Sequence, residues 1–223
     1  MIISAAGETL ELFPEKAIYW SKERTLFISD THFGKTSTFR LSGIPVPAGG
    51  LMQDLLKITH LINKTSAERI FFLGDLFHSR MGKTPSVLNT VIDWREKNKD
   101  IELNLIRGNH DYSAGDPCLE LNINCFDEPY SFAPFVLKHE PEKSDDGYVL
   151  CGHVHPGISL YGKGGVSLKA SCFYFTDDFA VLPAFGDFTG TYKIRPKENE
   201  RVYALAEEHI FEINIQKLQK FYS

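Results

Sequence analysis

The sequence predicts an α/β (α+β) fold in which two mixed β-sheets pack face to face with helices outside. Two observations lead to this reading. The first half of the chain alternates apolar strand-like runs with helical periodicity, whereas the second half is almost entirely strand-like. No internal repeat, low-complexity tract or long linker interrupts the 223 residues, so residues 1–223 are expected to form one domain around one sizeable core.

The elements follow in order. Arg24–Ser29 reads as a strand through the apolar run Leu26, Phe27 and Ile28. Leu51–Ile62 carries apolar residues at Leu51, Leu55, Ile58 and Ile62, close to helical spacing. Arg69–Leu73 is a second buried strand. Pro85 suits the first turn of a helix, and Val87, Val91 and Trp94 continue it at helical spacing. Ile101–Ile106 is a third strand. This β-α-β-α-β order implies a parallel or mixed sheet with covering helices. Strands are then expected at Phe132–Lys138, Tyr148–Leu150, Val166–Phe175, Phe179–Leu182, Arg201–Ala206 and Ile210–Ile215.

Composition narrows the functional classes. Hydrophobic residues make up 43% and charged residues 24% of the chain, and the formal net charge is -5. That balance argues against a bulk electrostatic grip on nucleic acid, which relies on many Lys and Arg contacts. It leaves a local site open, because bound cations offset negative charge where a phosphate approaches. No apolar run is long enough to span a membrane, and the first twelve residues lack the basic start of a secretory signal. Cys118, Cys125, Cys151 and Cys172 form no CxxC pair, so they read as structural thiols of a protein in a reducing cytoplasm.

Five short motifs, each just after a predicted strand, carry the chemistry. They are Asp30-Thr31-His32, Gly74-Asp75, Gly108-Asn109-His110-Asp111, His139 in Lys138-His139-Glu140-Pro141, and Gly152-His153-Val154-His155. Loops at strand ends present side chains at a sheet edge, and the glycines are expected to allow the tight turns. Five of the eight histidines fall in these motifs. One His or Asp at a strand end is ordinarily a satisfied polar residue; five such motifs in series are a different matter. Mixed carboxylate, imidazole and amide donors without thiolates suit Mn, Fe or Zn better than a closed structural zinc site.

These motifs in this order resemble the calcineurin-like metallophosphoesterase superfamily. The resemblance implies a four-layer sandwich of two mixed sheets flanked by helices, with a dinuclear metal site at loops on one sheet edge. It implies one ion held by Asp30, His32, Asp75 and His155, and a second held by Asp75, Asn109, His139 and His153. Asp75 would bridge the two, since a carboxylate has two oxygens. A narrower resemblance spans about residues 26–190. Ser29-Asp30-Thr31-His32-Phe33-Gly34-Lys35, Gly43-Ile44-Pro45-Val46-Pro47, Leu73-Gly74-Asp75-Leu76-Phe77-His78-Ser79-Arg80 and Leu182-Pro183-Ala184-Phe185-Gly186 look like the ligase-associated DNA damage response endonuclease branch. Its members are bacterial and archaeal, often encoded beside an ATP-dependent DNA ligase, a helicase and a nuclease. That resemblance implies cleavage of DNA phosphodiesters in a repair context.

The expected chemistry is hydrolysis of a phosphate ester. Two ions roughly 3.5–4 Å apart can clamp the attacking and leaving oxygens of an in-line displacement. Manganese is expected first, with iron, zinc or magnesium as alternatives. His110 is expected to protonate the leaving oxygen, and Asp111 to orient its imidazole. Lys35, Arg40, His78 and Arg80 are expected to contact phosphate around the scissile bond. Phe13, Trp20, Phe33, Phe39, Phe77 and Phe185 are read mainly as core. The competing readings are a small-molecule phosphodiesterase or phosphomonoesterase on the same ions, and a non-catalytic metal-binding scaffold.

Overall fold

The computed structural model describes residues 1–47, 49–161 and 167–219. Its strands and helices, in chain order, begin with β1 (Ile2–Ala5), β2 (Glu8–Phe13), β3 (Ala17–Trp20), β4 (Thr25–Ile28), α1 (Lys35–Leu41) and α2 (Gly50–Thr65). There follow β5 (Arg69–Leu73), α3 (Pro85–Lys97), β6 (Glu102–Ile106), α4 (Asn109–Ala114) and β7 (Ile123–Phe126). The second half holds β8 (Tyr130–Phe132), β9 (Phe135–Leu137), β10 (Tyr148–Cys151), β11 (Pro156–Tyr161), β12 (Ser167–Phe175) and β13 (Phe179–Val181). It closes with β14 (Tyr192–Lys193), β15 (Arg201–Ala206), β16 (His209–Glu212) and α5 (Ile215–Gln219). Among the described residues, β1 to β7 form one seven-stranded sheet in sequence order, and β8 to β16 form a nine-stranded one.

Side-chain alternation builds the layers. On β4, β5 and β6, Leu26, Ile28, Ile70, Phe72, Leu103 and Leu105 face α2 and α3. The intervening Phe27, Phe71, Leu73 and Ile106 face the other sheet. A strand buried on both faces reads as a continuous apolar run rather than an alternating one, which is why these strands are legible in the sequence. Between the sheets, Trp20 meets Phe132 and Phe135 edge-on, at ring separations of 5.5 and 5.0 Å. On the far face of the second sheet, Ile215 of α5 packs with Cys172, Val202 and Ala204. Helices, sheet, sheet and helix make the four expected layers.

Helix α3 starts where Pro85 places it, with the Thr84 hydroxyl accepting the Val87 N–H at 3.3 Å. Two expectations need correction. Phe132–Lys138 is not one strand: it turns at Ala133-Pro134 into the antiparallel pair β8 and β9, in keeping with a proline that has no amide to offer a ladder. Ile210–Ile215 is strand only to Glu212; the Asn214 side chain accepts the Lys217 N–H at 3.0 Å and opens α5 instead. In the strand expected at Val166–Phe175, Val166 lies outside the described residues. The hairpins of β1, β2 and β3 were not anticipated. In β2 the core residues are interleaved with Glu8, Thr9 and Glu11, and the apolar run of β3, Ala17–Trp20, is only four residues long.

The strands that matter for the site run side by side. Strands β4, β5, β6 and β7 are mutually parallel, and so are β9, β10 and β13. Their C-terminal ends collect at one edge of the sandwich, where loops from both sheets can meet.

Candidate metal centre

All five motifs emerge at that edge. Loop backbones knit it together beyond the strands: Asp30 N–H donates to Gly74 O (3.2 Å), His32 N–H to Asp75 O (2.9 Å) and Phe33 N–H to Leu76 O (2.8 Å). Gly152 N–H donates to His139 O at 3.0 Å, which joins the two loops of the second sheet. The sheets themselves are joined where His153 N–H donates to Asp30 Oδ2 at 3.0 Å.

The backbone here is strained. Asp30, His32, Asp75, His153 and His155 all adopt left-handed φ values, between 46° and 67°. That region disfavours a residue with a Cβ by roughly 1–2 kcal/mol, and such strain tends to collect at functional sites. Gly74, at a φ of +84°, takes the tight turn expected of it, but Gly108 serves a different purpose. Gly108 has an ordinary φ of -98°, but a Cβ there would lie 2.4 Å from Asp75 Oδ1. It is needed for close approach, not for a turn.

The side chains fall into two neighbouring sets. Asp30, His32 and His155 form one compact group of donors, and Asp30, Asp75 and His139 another. His139 Nε2 lies 3.1 Å from both Asn109 Oδ1 and His153 Nδ1. The oxygens of Asp75 divide between the sets: Oδ1 is 3.5 Å from His139 Nε2, and Oδ2 is 3.8 Å from His32 Nε2. All seven residues expected as ligands therefore come together.

Several of these atoms are buried without a hydrogen bond: both ring nitrogens of His32, Oδ1 of Asp30 and Nε2 of His155. The last two face each other at 3.0 Å. An unsatisfied buried polar group costs roughly 1–3 kcal/mol, so the Asp30 oxygen, the His155 nitrogen and one His32 nitrogen call for a common partner. Oxygen and imidazole donors of this kind fit a divalent cation. A ligand imidazole must be neutral, and electrostatics favours this at His32; at His139 burial acts the same way, but the Asp30 and Asp75 carboxylates outweigh it and raise the imidazole above its ordinary value. Burial pushes the His32 imidazole down to about 2. Burial opposes ionisation of Asp30, yet the adjoining His155 and His139 and the Ser29 hydroxyl outweigh it and hold the carboxyl below its ordinary value.

The remaining expected residues separate. His110 stands at the edge of the group, its Nε2 3.9 Å from Asp75 Oδ2. Asp111 does not orient it. The Asp111 carboxylate accepts three backbone N–H groups, from Asp75 (2.7 Å), Gly108 (2.9 Å) and Leu76 (3.1 Å). It is the brace between the loops after β5 and β6, because an ionised carboxylate inside a protein seeks several donors. What holds the His110 ring is His78. The His78 carbonyl lies 2.6 Å from His110 Nδ1, and the two rings stack at 4.9 Å. His78 is thus part of the wall, against His32 as well, and burial lowers its imidazole to about 4.

Lys35 opens α1 half-buried beside the site; burial lowers its ammonium, against the pull of Asp30 and Asp75. Arg40 is exposed and directed at its own loop, near Pro47 O and Ser37 Oγ, both at 3.4 Å. The site therefore does not gather Arg40. Arg80 is exposed two residues beyond His78. Phe13, Trp20, Phe33, Phe77 and Phe185 are core, while Phe39 is half-buried with its ring 6.1 Å from His78. Two residues escaped the sequence reading. Glu128 Oε2 accepts the N–H groups of His139 (2.5 Å) and Glu140 (3.2 Å), and no pattern in the sequence marks it. Ser29 hydrogen-bonds Asp30 Oδ2, and only its adjacency to Asp30 could have suggested it.

No helix among the described residues is long and apolar enough to cross a membrane. Comparison with solved structures finds a nuclease, MPE, from Pseudomonas putida, 36% identical, with a TM-score of 0.83 over 96% of this chain and 99% of that one. The phosphoesterase Yfce from E. coli aligns over 86% of this chain and 98% of its own at 13% identity and a TM-score of 0.35, too low to bear on the site. No curated protein matches. The family model for calcineurin-like phosphoesterases matches residues 23–162, from the start of β4 past the last of the five motifs. With that match over more than half of the chain, and the motifs it spans gathered at one edge, the chain belongs to the calcineurin-like phosphoesterases, hydrolases of phosphoric esters that work with divalent metal ions.

Proposed function

We propose that this chain is a two-ion phosphodiesterase that cleaves DNA. The observation that carries the two-ion reading is the division of Asp75, one oxygen toward His139 and the other toward His32. One ion is assigned to Asp30, His32, Asp75 and His155, and the other to Asp75, Asn109, His139 and His153. When bound, such ions lower the barrier by stabilising charge on the phosphoryl oxygens and by acidifying the attacking water.

The chain's own groups supply the rest. His110, anchored through Nδ1 on the His78 carbonyl, keeps Nε2 free to hold the proton that passes to the leaving oxygen. Lys35 adds a half-desolvated positive charge beside the first loop. The nuclease reading rests on the likeness to MPE, and the repair setting, with ligase, helicase and nuclease neighbours, rests on the branch resemblance alone. An open rim fits a polymer: Asn109 and His153 are exposed, and so are the aromatic rings of Tyr112, Phe188 and Tyr192 nearby in sequence to the site loops or bonded to them. Aromatic rings of this kind stack on bases.

The test is hydrolysis by metal-stripped protein reloaded with Mn, Fe, Zn or Mg. Bis(p-nitrophenyl) phosphate, p-nitrophenyl phosphate, and single- and double-stranded DNA are compared, with manganese expected to restore most activity. Activity on the monoester alone would favour a small-molecule phosphatase. No hydrolysis with any ion, despite full metal loading, would leave a binding scaffold.

A further inference from the structure

A carboxylate that binds an ion through one oxygen needs the other oxygen kept away. We infer that Ser29 is a positioning residue that does this for Asp30: its hydroxyl occupies Oδ2, so that Oδ1 alone faces the ion shared with His32 and His155. The inference rests on the two-ion reading above and adds the group that orients one of its ligands.

Ser29 is fully buried. Its hydroxyl has two acceptors in reach, Asp30 Oδ2 and, at 3.2 Å, Leu73 O, but only one proton. The Leu73 carbonyl already faces His139 Nδ1 at 3.0 Å. The proton therefore goes to the carboxylate, the stronger acceptor of the two. A second donor, His153 N–H, reaches the same Oδ2 at 3.0 Å, while Oδ1 faces only the ring nitrogen of His155, another expected ligand, at 3.0 Å. The two oxygens of one buried carboxylate are thus treated oppositely.

The fold also reserves the space. A Cβ at position 152 would lie 1.6 Å from Ser29 Oγ and 2.4 Å from Asp30 Oδ2. Gly152 leaves room for the hydroxyl, and the peptide that follows it supplies the second donor. One donor comes from each sheet, so the carboxylate is clamped only when both sheets are in register.

The experiment is an equilibrium titration of the metal-stripped full chain with Mn²⁺, following free ion by electron paramagnetic resonance. Ser29→Ala should weaken one ion by about 10–100-fold, the usual scale for groups that orient a metal ligand. The other ion should stay within about threefold, below that scale. Ser29→Cys, with similar bulk and a poorer donor, should fall between wild type and Ser29→Ala. Unchanged titration in Ser29→Ala overturns the inference. So does equal weakening of both ions together with a lower melting temperature of the metal-free protein, which would mark a packing role. If wild type takes up a single ion, the two-ion reading is the one that fails. Ser29→Ala must then still weaken that ion if Asp30→Ala abolishes it, or the inference falls too.

Discussion

The loops after β4, β5 and β6 meet the loops after β9 and β10 at one edge, and the two groups are held by different means. In the first sheet, backbone bonds from Asp30, His32 and Phe33 to Gly74, Asp75 and Leu76 continue the parallel pairing past the strand ends. Asp111 then ties the third loop to the second through three amides. The side chains presented there, Asp30, His32 and Asp75, are almost wholly buried. In the second sheet, His139 is held by the Glu128 carboxylate and the Leu73 carbonyl, and the His153 amide by Asp30. His153 is exposed and His155 half-exposed. One half of the centre is an extension of a sheet. The other half has fewer backbone bonds, Gly152 N–H to His139 O and Tyr192 N–H to His155 O, and leans more on side-chain bonds, so it should be the easier half to loosen.

The largest expected effect comes from the residue both sets share. Asp75→Ala should lower bound metal from two ions to less than one and reduce kcat/KM by more than roughly a thousandfold; metal analysis by mass spectrometry checks it beside the kinetics. His153→Ala should remove only the ion assigned to Asp75, Asn109, His139 and His153. If it strips both, the two halves are not separable.

His110→Ala should keep both ions and lower kcat by roughly 10²–10⁴-fold on DNA, the range for a lost general acid. Bis(p-nitrophenyl) phosphate, whose leaving group needs no proton, should suffer far less. Equal losses on both substrates would remove His110 from the acid role.

Glu128→Ala tests the looser half directly. Removing the acceptor of the His139 and Glu140 amides should weaken the ion assigned to His139 by roughly tenfold, with the other ion unchanged in a metal titration. Matching losses at both ions would mean that the second sheet is as rigidly coupled as the first.

The strain in the first half predicts a stability difference. Asp75→Gly and Asp75→Ala both lose the carboxylate, but φ at this position is +56°. The glycine variant should therefore unfold at higher urea in the metal-free state, by about 1 kcal/mol. The smallest effect is reserved for Arg40→Ala. Its guanidinium addresses its own loop, so KM should change less than about twofold, as for most surface substitutions.

Legibility in the sequence followed apolar continuity. Arg69–Leu73 and Arg201–Ala206 were readable to the residue because burial on both faces, or a strong apolar bias, wrote them as runs. The N-terminal hairpins were not, because Glu8, Thr9 and Glu11 interrupt β2 and the apolar run of β3 is only four residues long. Nor was the break at Ala133-Pro134, where two three-residue strands share one apolar stretch. In the site, all seven ligand candidates could be named because each is a chemically specialised residue at a strand end. Roles that depend on direction could not. Asp111 and His110 are adjacent in the chain, yet α4 turns the carboxylate toward the loop amides and the imidazole toward His78.

The order and chemistry of the five motifs by themselves pointed to the family and named the candidate donors, as order along parallel strands decides which loops share an edge. Only the tertiary structure decided which oxygen of Asp30 is free, which residue holds His110, and which cations face the site. Those are matters of a few ångströms between segments as distant as Asp30 and His153, and local sequence carries no information about a distance that two packed sheets set between them.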